Sequence, residues 1–416
     1  ILQSALVIGS FLRKDHPLFA QRLRQAARKG ARVHSIHAMQ DDWLMTMAPG
    51  IVAAPSQWLQ SLADVAAAVA QSQGIESPVP GQASAAARAI GDSLLGGERK
   101  AVLLGNAAAQ HPQASALLGL ANWIAQRTGA TVGYLTEAAN AVGAQLVGAT
   151  PRRVGERDGL NAGQMLGRAP LPLKALLLLD VDPLLDAADP AAAATALRAA
   201  EFVVAMSPLQ PQSLDHVDVL LPIAPFTETS GTFINAEGRV QGFHGVVKPA
   251  GDARPGWKVL RVLGNLLELS GFNFETSDDV KQEALGEAAS LPARLDNSSG
   301  AAAQSGAATA ASHASQGFER IANVPIYTGD SLVRHAASLQ MTADAAPPVA
   351  ALPAALWARL RLAAGAKVRI SQGAAQAVLP ARLDATLAAG VVSVPAGHPD
   401  TAALGAMFGA VSVEAV

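Results

Sequence analysis

The sequence predicts an α/β protein: two intertwined Rossmann-like subdomains built on parallel sheets, followed by a small β-rich C-terminal domain. Three observations predict it. Apolar runs of strand length alternate with helix-length amphipathic stretches between Ala5 and Leu269. That is the grammar of βαβ units, whose crossovers force parallel strands with helices on both faces. A Ser/Ala/Gly-rich stretch, Asn297–Gln316, then interrupts the chain, and beyond it short β runs are punctuated by glycine turns.

The elements follow in order. Ala5–Gly9 (ALVIG) is a buried strand ending in glycine. Asp15 is the expected N-cap of a helix with Pro17 in its first turn, burying Leu18, Phe19, Leu23, Ala26 and Ala27. Gly30 stops it, and Ala31–Ile36 is the next strand. The unit repeats: strand Ala101–Gly105, helix from His111 to Thr128 closed by Gly129, strand Thr131–Leu135. It repeats again with strand Leu173–Asp180, helix Pro190–Ala200, and strands Phe202–Met206 and Val217–Leu221. A helix over Trp257–Leu269 is expected to turn Leu260, Leu263, Leu266 and Leu267 toward a core. The C-terminal β runs are Lys367–Ser371, Ala374–Leu379, Val391–Val394 and Ala410–Val416.

This divides the chain into a first Rossmann-like subdomain over residues 1–80, lacking its N-terminal part, and a second over 81–290. A flexible linker over 291–320 and a C-terminal segment over 321–416 complete it. Proline and glycine at Pro78, Pro80 and Gly81 mark the first boundary. The low-complexity stretch has nothing to bury and is expected to be extended. Ile1–Gly9 reads as the middle of a longer polypeptide.

Composition narrows the function. The 416 residues are 50% hydrophobic and only 15% charged, which excludes a chain disordered throughout. With 31 basic and 33 acidic residues and 4% aromatics, neither a basic field nor a stacking platform draws it to nucleic acid. No cysteine is present, which excludes disulfides, thiolate zinc, a cysteine nucleophile and a cysteine-ligated iron–sulfur cluster within these residues. No apolar run reaches the roughly 18 residues of a membrane span, so direct membrane insertion is not expected.

Among candidate sites, His34 and His37 would point to opposite faces of a strand, which argues against a shared metal. Gly9 and Ser10, with Arg13, Lys14 and His16, form either an anion-binding turn or a solvated basic one. Neither a P-loop nor a G-x-G-x-x-G turn follows any strand. Leu221–Gln241 (LPIAPFTETSGTFINAEGRVQ) carries a hairpin turn, Asn235–Gly238, between β-prone runs. Its polar groups Glu228, Thr229, Asn235 and Arg239 either shape the hairpin or face a cofactor pocket.

That stretch resembles the L-P-x5-E-x2-G-T-x2-N-x-E-G-R-x-Q signature of molybdopterin oxidoreductases. Gly9–Lys29 and Asn323–Thr342 (NVPIYTGDSLVRHAASLQMT) narrow the likeness to one branch, the large iron–sulfur subunit (the G subunit) of bacterial NADH-quinone oxidoreductase, respiratory complex I. The resemblance runs from Ile1 to Phe408 apart from the linker. It implies a molybdopterin-oxidoreductase-like fold whose C-terminal piece is a reduced β-barrel. It implies a parent polypeptide with iron–sulfur clusters upstream of residue 1. The partners it implies are other peripheral-arm subunits, on the cytoplasmic side of the bacterial inner membrane, in a proton-translocating enzyme to which this segment contributes no catalysis.

In active members a Ser, Cys or selenocysteine ligates molybdenum, and paired pterin dinucleotides lie between the Rossmann-like halves. Here cysteine is absent, and Asp180-Val-Asp182-Pro183 stands where cofactor-binding members prefer G-x-N-P. Two carboxylates there repel a pterin pyrophosphate. Gly9, Ser10, Asp180, Asp182, Glu228, Thr229, Asn235 and Arg239 are thus read as vestigial pterin-site positions, with no cofactor and no metal expected in this segment. The cleft is expected to be narrowed by side chains. Arg239 is expected to pair with Glu228 or Glu237, so that Arg239→Ala costs about 3–5 kcal/mol. The alternatives are an active molybdoenzyme such as a formate dehydrogenase, and a Mg-dependent phosphotransferase, since a strand ending in D-x-D resembles haloacid-dehalogenase enzymes. Against the phosphotransferase, Pro183 replaces the small-residue turn of that family.

Overall fold

The computed structural model describes residues 1–151, 158–168, 173–295 and 317–416. Asn297–Gln316, and with it most of the expected linker, lies outside the described residues. At the margins of that range Leu291–Arg294 is helical and Phe318–Ile321 is a strand.

The first sheet is parallel, with strands β1 Ser4–Ile8, β2 Arg32–His37, β3 Ile51–Val52, β4 Lys100–Leu104 and β5 Thr131–Tyr134 in the order β3-β2-β1-β4-β5. This is a doubly wound sheet whose strand order reverses between β1 and β4. On one face α1 Pro17–Arg28 packs Ala20 and Leu23 onto Ala5, Val7 and Val33. On the other, α2 Trp58–Gln73, α3 Ala85–Leu95 and α4 Ala114–Thr128 bury Leu62, Ile90 and Ile124 against Leu6, Ile8 and Val102. β4 and β5 extend the sheet begun by β1, so the boundary expected at residue 80 falls inside one sheet. The Pro/Gly stretch there is only the loop between two helices that cover the same face.

The second sheet is smaller and also parallel: β6 Ala175–Leu179, β7 Phe202–Ser207 and β8 Val219–Pro222. Between its strands lie α5 Pro183–Asp186 and α6 Pro190–Ala199. Leu176, Leu178, Val203 and Ala205 pack with Leu197 of α6 on one face. On the other, Leu177 and Phe202 are exposed. The all-apolar run of β6 suggests burial on both faces, and the fold covers only one.

A hairpin follows, β9 Gly231–Ile234 and β10 Val240–Phe243, with Ile234 buried against Leu285 and Leu291. Two helices come next, α7 Gly256–Leu266 and α8 Ser277–Leu285. α7 does not seat the leucine face expected of it: Leu266 and Leu267 are 75% and 69% exposed. Beyond the undescribed residues, β11 Phe318–Ile321, a short helix α9 Ser331–His335, and strands β12 Ala350–Leu352, β13 Lys367–Gln372, β14 Ala375–Leu383, β15 Val391–Ser393 and β16 Phe408–Ala415 form the C-terminal unit. The strands close into a barrel in the order β11-β15-β12-β14-β13-β16. Closure removes the free edges that an open sheet of short strands would expose. Ile321, Ala351, Leu387 and Val391 of the barrel join the core of the first sheet, so the two units share one apolar interior.

The start of the chain corrects two expectations. Asp15 does not cap α1; its carboxylate turns back to accept from Ser10 Oγ at 2.6 Å and Phe11 N at 3.1 Å. Leu18, placed on the buried face by spacing, is 85% exposed.

Candidate functional site

In a doubly wound sheet, ligands bind outside the carboxyl ends of the strands where the strand order reverses. Here that is the crevice between β1 and β4, and protein fills it. Gly9 follows β1 in a left-handed backbone conformation, φ +61°. A Cβ at Gly9 would lie 2.6 Å from Ala108 N and 2.9 Å from the Trp58 ring. One at Gly105 would lie 2.1 Å from Ser10 Cβ. Both glycines therefore serve a close approach of two backbones. Trp58 stacks between His37 and His111, with ring centroids at 5.9 and 5.6 Å, and Phe408 of the barrel abuts Trp58 and His111 edge-on.

Some of the polar groups of this layer are satisfied within the protein and others are not. His111 Nε2 donates to Pro55 O at 3.0 Å while Nδ1 accepts from Gln113 N at 3.0 Å, which fixes the neutral tautomer. Burial holds its pKa below the ordinary imidazole value, against the opposing pull of the Pro55 carbonyl and Glu319. His37 Nδ1 lies 2.9 Å from Asp41 Oδ2 without hydrogen-bond alignment. His34, on the opposite face, uses Nδ1 to donate to Pro49 O at 2.8 Å. His34 and His37 share no ligand geometry, and no cluster of three metal-ligating side chains exists among the described residues. Ser10, buried, donates to Asp15, so an internal carboxylate holds the turn proposed for an anion. Arg13 and Lys14 pair with Asp42 and Asp344.

The second cleft lies at the carboxyl end of β6 and is a cavity of about 240 Å³. Its lining includes Asp180, Asp182, Ser207, Arg334, His335 and His398. Asp180 adopts φ +49°, a left-handed conformation that Asp and Asn take more readily than other residues besides glycine. Its carboxyl is pushed up by burial and by Asp330 and Asp186, opposed by a hydrogen bond from Ser331 and the charge of Arg334. Asp182 is buried and structural. Its Oδ1 accepts from Leu184 N at 3.2 Å, capping α5, and its Oδ2 accepts from Gln212 N at 2.6 Å.

The segment Asn323–Thr342 straps across this cavity. Arg334 on α9 reaches Asp186 at 2.7 Å and Thr328 O at 2.8 Å, and Asp186 in turn accepts from Asp182 N at 2.7 Å. Gln340 Nε2 ties the strap to itself through Tyr327 O and Val333 O.

The signature hairpin stands apart from both clefts. Asn235 Oδ1 accepts from Glu237 N at 3.0 Å and Arg239 N at 2.9 Å, closing the turn. Gly238 has φ +79°, and a Cβ there would strike Leu295 at 2.3 Å. Glu228 Oε2 accepts from Ala250 N at 3.0 Å, and Thr229 Oγ1 donates to Ser230 O at 3.2 Å. The expected ion pair is absent: Arg239 is exposed and joins neither Glu228 nor Glu237. The turn is closed by an amide rather than by charge, and the guanidinium stays in water.

The structure thus brings Gly9 with Ser10, and Asp180 with Asp182, each to a strand end, and leaves Glu228, Thr229, Asn235 and Arg239 elsewhere. Sequence reasoning missed the Trp58 stack, the Arg334–Asp186 pair, and Arg320, which is buried on β11 and donates to the carbonyls of Val394, Gly405 and Ala406. The strap segment signalled Arg334 through its motif. Nothing singled out Trp58 or Arg320, whose partners come from distant parts of the chain.

A parallel doubly wound sheet, a second parallel sheet and a terminal barrel make up the scaffold. Residues 4–266 match the molybdopterin oxidoreductase family, and the chain belongs to it. It is 31% identical over 271 residues to the G subunit of the NADH-quinone oxidoreductase of Streptomyces coelicolor, covering 59% of this chain and 30% of that protein. It is 32% identical over 126 residues to the alpha subunit of an F420-dependent formate dehydrogenase of Methanococcus maripaludis, 30% of this chain and 19% of that one. The chain therefore spans under a third of the length of these relatives. Acetylene hydratase from Pelobacter acetylenicus shares the fold, with a TM-score of 0.67 and 12% identity over 99% of this chain and 78% of that one.

The family implies a molybdenum–pterin cofactor, and the residues at both clefts do not fit one. A pyrophosphate needs donors and positive charge at the strand ends. At the end of β6, Asp180, Asp186 and Asp330 gather round one arginine, Arg334, whose charge is taken by Asp186, and Trp58, His111 and Phe408 fill the crevice at β1. The 240 Å³ cavity is below the roughly 300–1,000 Å³ of sites for drug-sized ligands.

Proposed function

We propose that this chain is a cofactor-free molybdoenzyme-like module within a peripheral-arm component of NADH-quinone oxidoreductase. It serves assembly while electrons pass from NADH to quinone through groups held elsewhere. The observation that carries this reading is the misfit at both clefts: side chains fill the crevice at β1, and at the end of β6 the carboxylates around Asp180 outnumber the one arginine, Arg334, which is already paired with Asp186. The likeness to the Streptomyces coelicolor protein adds the kind of assembly. In this reading the module sits on the cytoplasmic face of a membrane-bound complex, with its iron–sulfur clusters in the upstream part of the parent polypeptide. No described helix is long and apolar enough to cross a membrane.

The test is purification of the full-length parent protein from its native host through an affinity tag. The expected result is co-elution with NADH-oxidising, quinone-reducing activity and with further subunits. A second reading, an active formate-dehydrogenase-like enzyme, draws on the likeness to the Methanococcus maripaludis protein. Formate oxidation by the purified protein, with no NADH-oxidising partner, would favour it.

A further inference from the structure

Outside both clefts, an open groove of about 580 Å³ lies between the hairpin and α7. Lys248, Arg254 and Lys258 line it, together with Trp257, Val247 and Glu228. Among the described residues none of the three cations has a carboxylate partner. Lys258 Nζ sits 5.4 Å over the Trp257 ring, and Arg254 Nη1 donates to Ala253 O at 2.7 Å. The carboxylates nearby are already engaged. Glu228 accepts from Ala250 N, Asp279 accepts from Thr276 N at the start of α8, and Asp278 pairs with Lys281. Asp252, in the turn beside Arg254, has no such engagement. The groove therefore sets three unpaired cations against the Glu228 carboxylate in its wall and Asp252 in the adjoining turn, which leaves it a net positive charge.

Apolar groups continue the surface. Val246 N donates to Thr227 O at 2.8 Å, which brings Val246, 80% exposed, beside Phe226, 59% exposed. Cations flanked by exposed apolar side chains complement a segment of the opposite pattern. A membrane surface offers anions too, but it is flat, and these cations line a concavity that receives protruding side chains. The cation over Trp257 already covers a face that a nucleotide base would need.

We propose that the groove of Lys248, Arg254, Lys258 and Trp257, with Val246 and Phe226 beside it, docks an acidic segment of a partner polypeptide whose carboxylates are interspersed with apolar side chains. The proposal rests on the reading of the chain as part of a multi-subunit assembly and names the surface used there.

Zero-length carbodiimide coupling of the purified native assembly tests it, because the reagent joins an amine to a carboxylate only when the two already touch. The expected result is an isopeptide bond from Lys248 or Lys258 to an Asp or Glu of another subunit, in a stretch with apolar neighbours. The double variant Lys248→Glu/Lys258→Glu should keep its melting temperature and lose association by about tenfold or more. The proposal is overturned if both lysines acetylate as readily in the intact assembly as after it is taken apart by salt. It is also overturned if the double variant associates normally, or if anionic-lipid vesicles rather than a subunit protect the lysines. A protein that purifies with no partner at all sinks the assembly reading itself, whereas an intact assembly with reactive lysines sinks only the docking surface.

Discussion

Asp180 concentrates the conflict between family scaffold and present sequence. It holds a left-handed backbone and a carboxyl raised by burial and by Asp330 and Asp186. A raised carboxyl favours the protonated folded state, so its contribution to stability is present below the ordinary aspartate pKa and is lost as pH rises through the raised value. Asn tolerates the same backbone without the charge. Asp180→Asn should therefore stabilise the protein at neutral pH, by less than about 1 kcal/mol because the residue keeps much of its surface in water. The gain should fade below about pH 4. Thermal melts across that range check it; a gain that persists in acid would trace to the backbone instead. The signature hairpin separates amide from charge in the same way. Asn235→Ala removes the acceptor of two turn amides and should cost about 1–2 kcal/mol, whereas Arg239→Ala should stay within about 0.5 kcal/mol. Urea unfolding of both variants decides between this account and a buried ion pair. The motif made all these residues legible as a group. Their roles were not legible, since spacing says which groups recur and not which face water.

At the scale of elements, strands and the longer helices were legible because their apolar runs and glycine stops are local signals: Gly129, for example, closes α4 at φ +73°. Two barrel strands were not. Phe318–Ile321 and Ala350–Leu352 are too short to show a period, and they exist because the barrel needs them to close. Arg320 lies inside that barrel, fully buried, donating only to carbonyls and to Gln372, and desolvation lowers its pKa to about 10. The His37–Trp58–His111 stack joins three elements and makes a measurable prediction. His111 and His34 are both held neutral by burial. A depressed imidazole contributes stability above its unfolded pKa and loses it as pH falls. Stability should therefore decline between about pH 7 and pH 5, with a slope of up to about 1.4 kcal/mol per pH unit for each imidazole that must charge. His111→Phe, which keeps an aromatic beside Trp58 and Phe408, should make that slope shallower. Denaturant titrations at several pH values check it, and an unchanged slope would mean that His111 already charges in the folded protein.

The whole molecule keeps the family's architecture, and in the proposed reading its clefts no longer hold the family's cofactor. The barrel docks Phe408 into the layer above β1, and the strap places Arg334 over the end of β6, so both regions are closed by parts of the chain remote in sequence. The fold class was readable because parallel sheets and barrels leave periodic traces. The filling of the crevice was not, because it depends on Trp58, His111 and Phe408 meeting in space. The acidic D-x-D turn was legible in the sequence, but Asp182 is taken up by the amides of Leu184 and Gln212. The central claim is that this scaffold works without its cofactor. The most direct measurement is elemental analysis for molybdenum and tungsten, with assay of released pterin, on the full-length protein purified from molybdate-supplied cells. The account predicts both metals and pterin at background in a protein that retains its partners. Molybdenum or tungsten at about one atom per chain, with pterin to match, would contradict it.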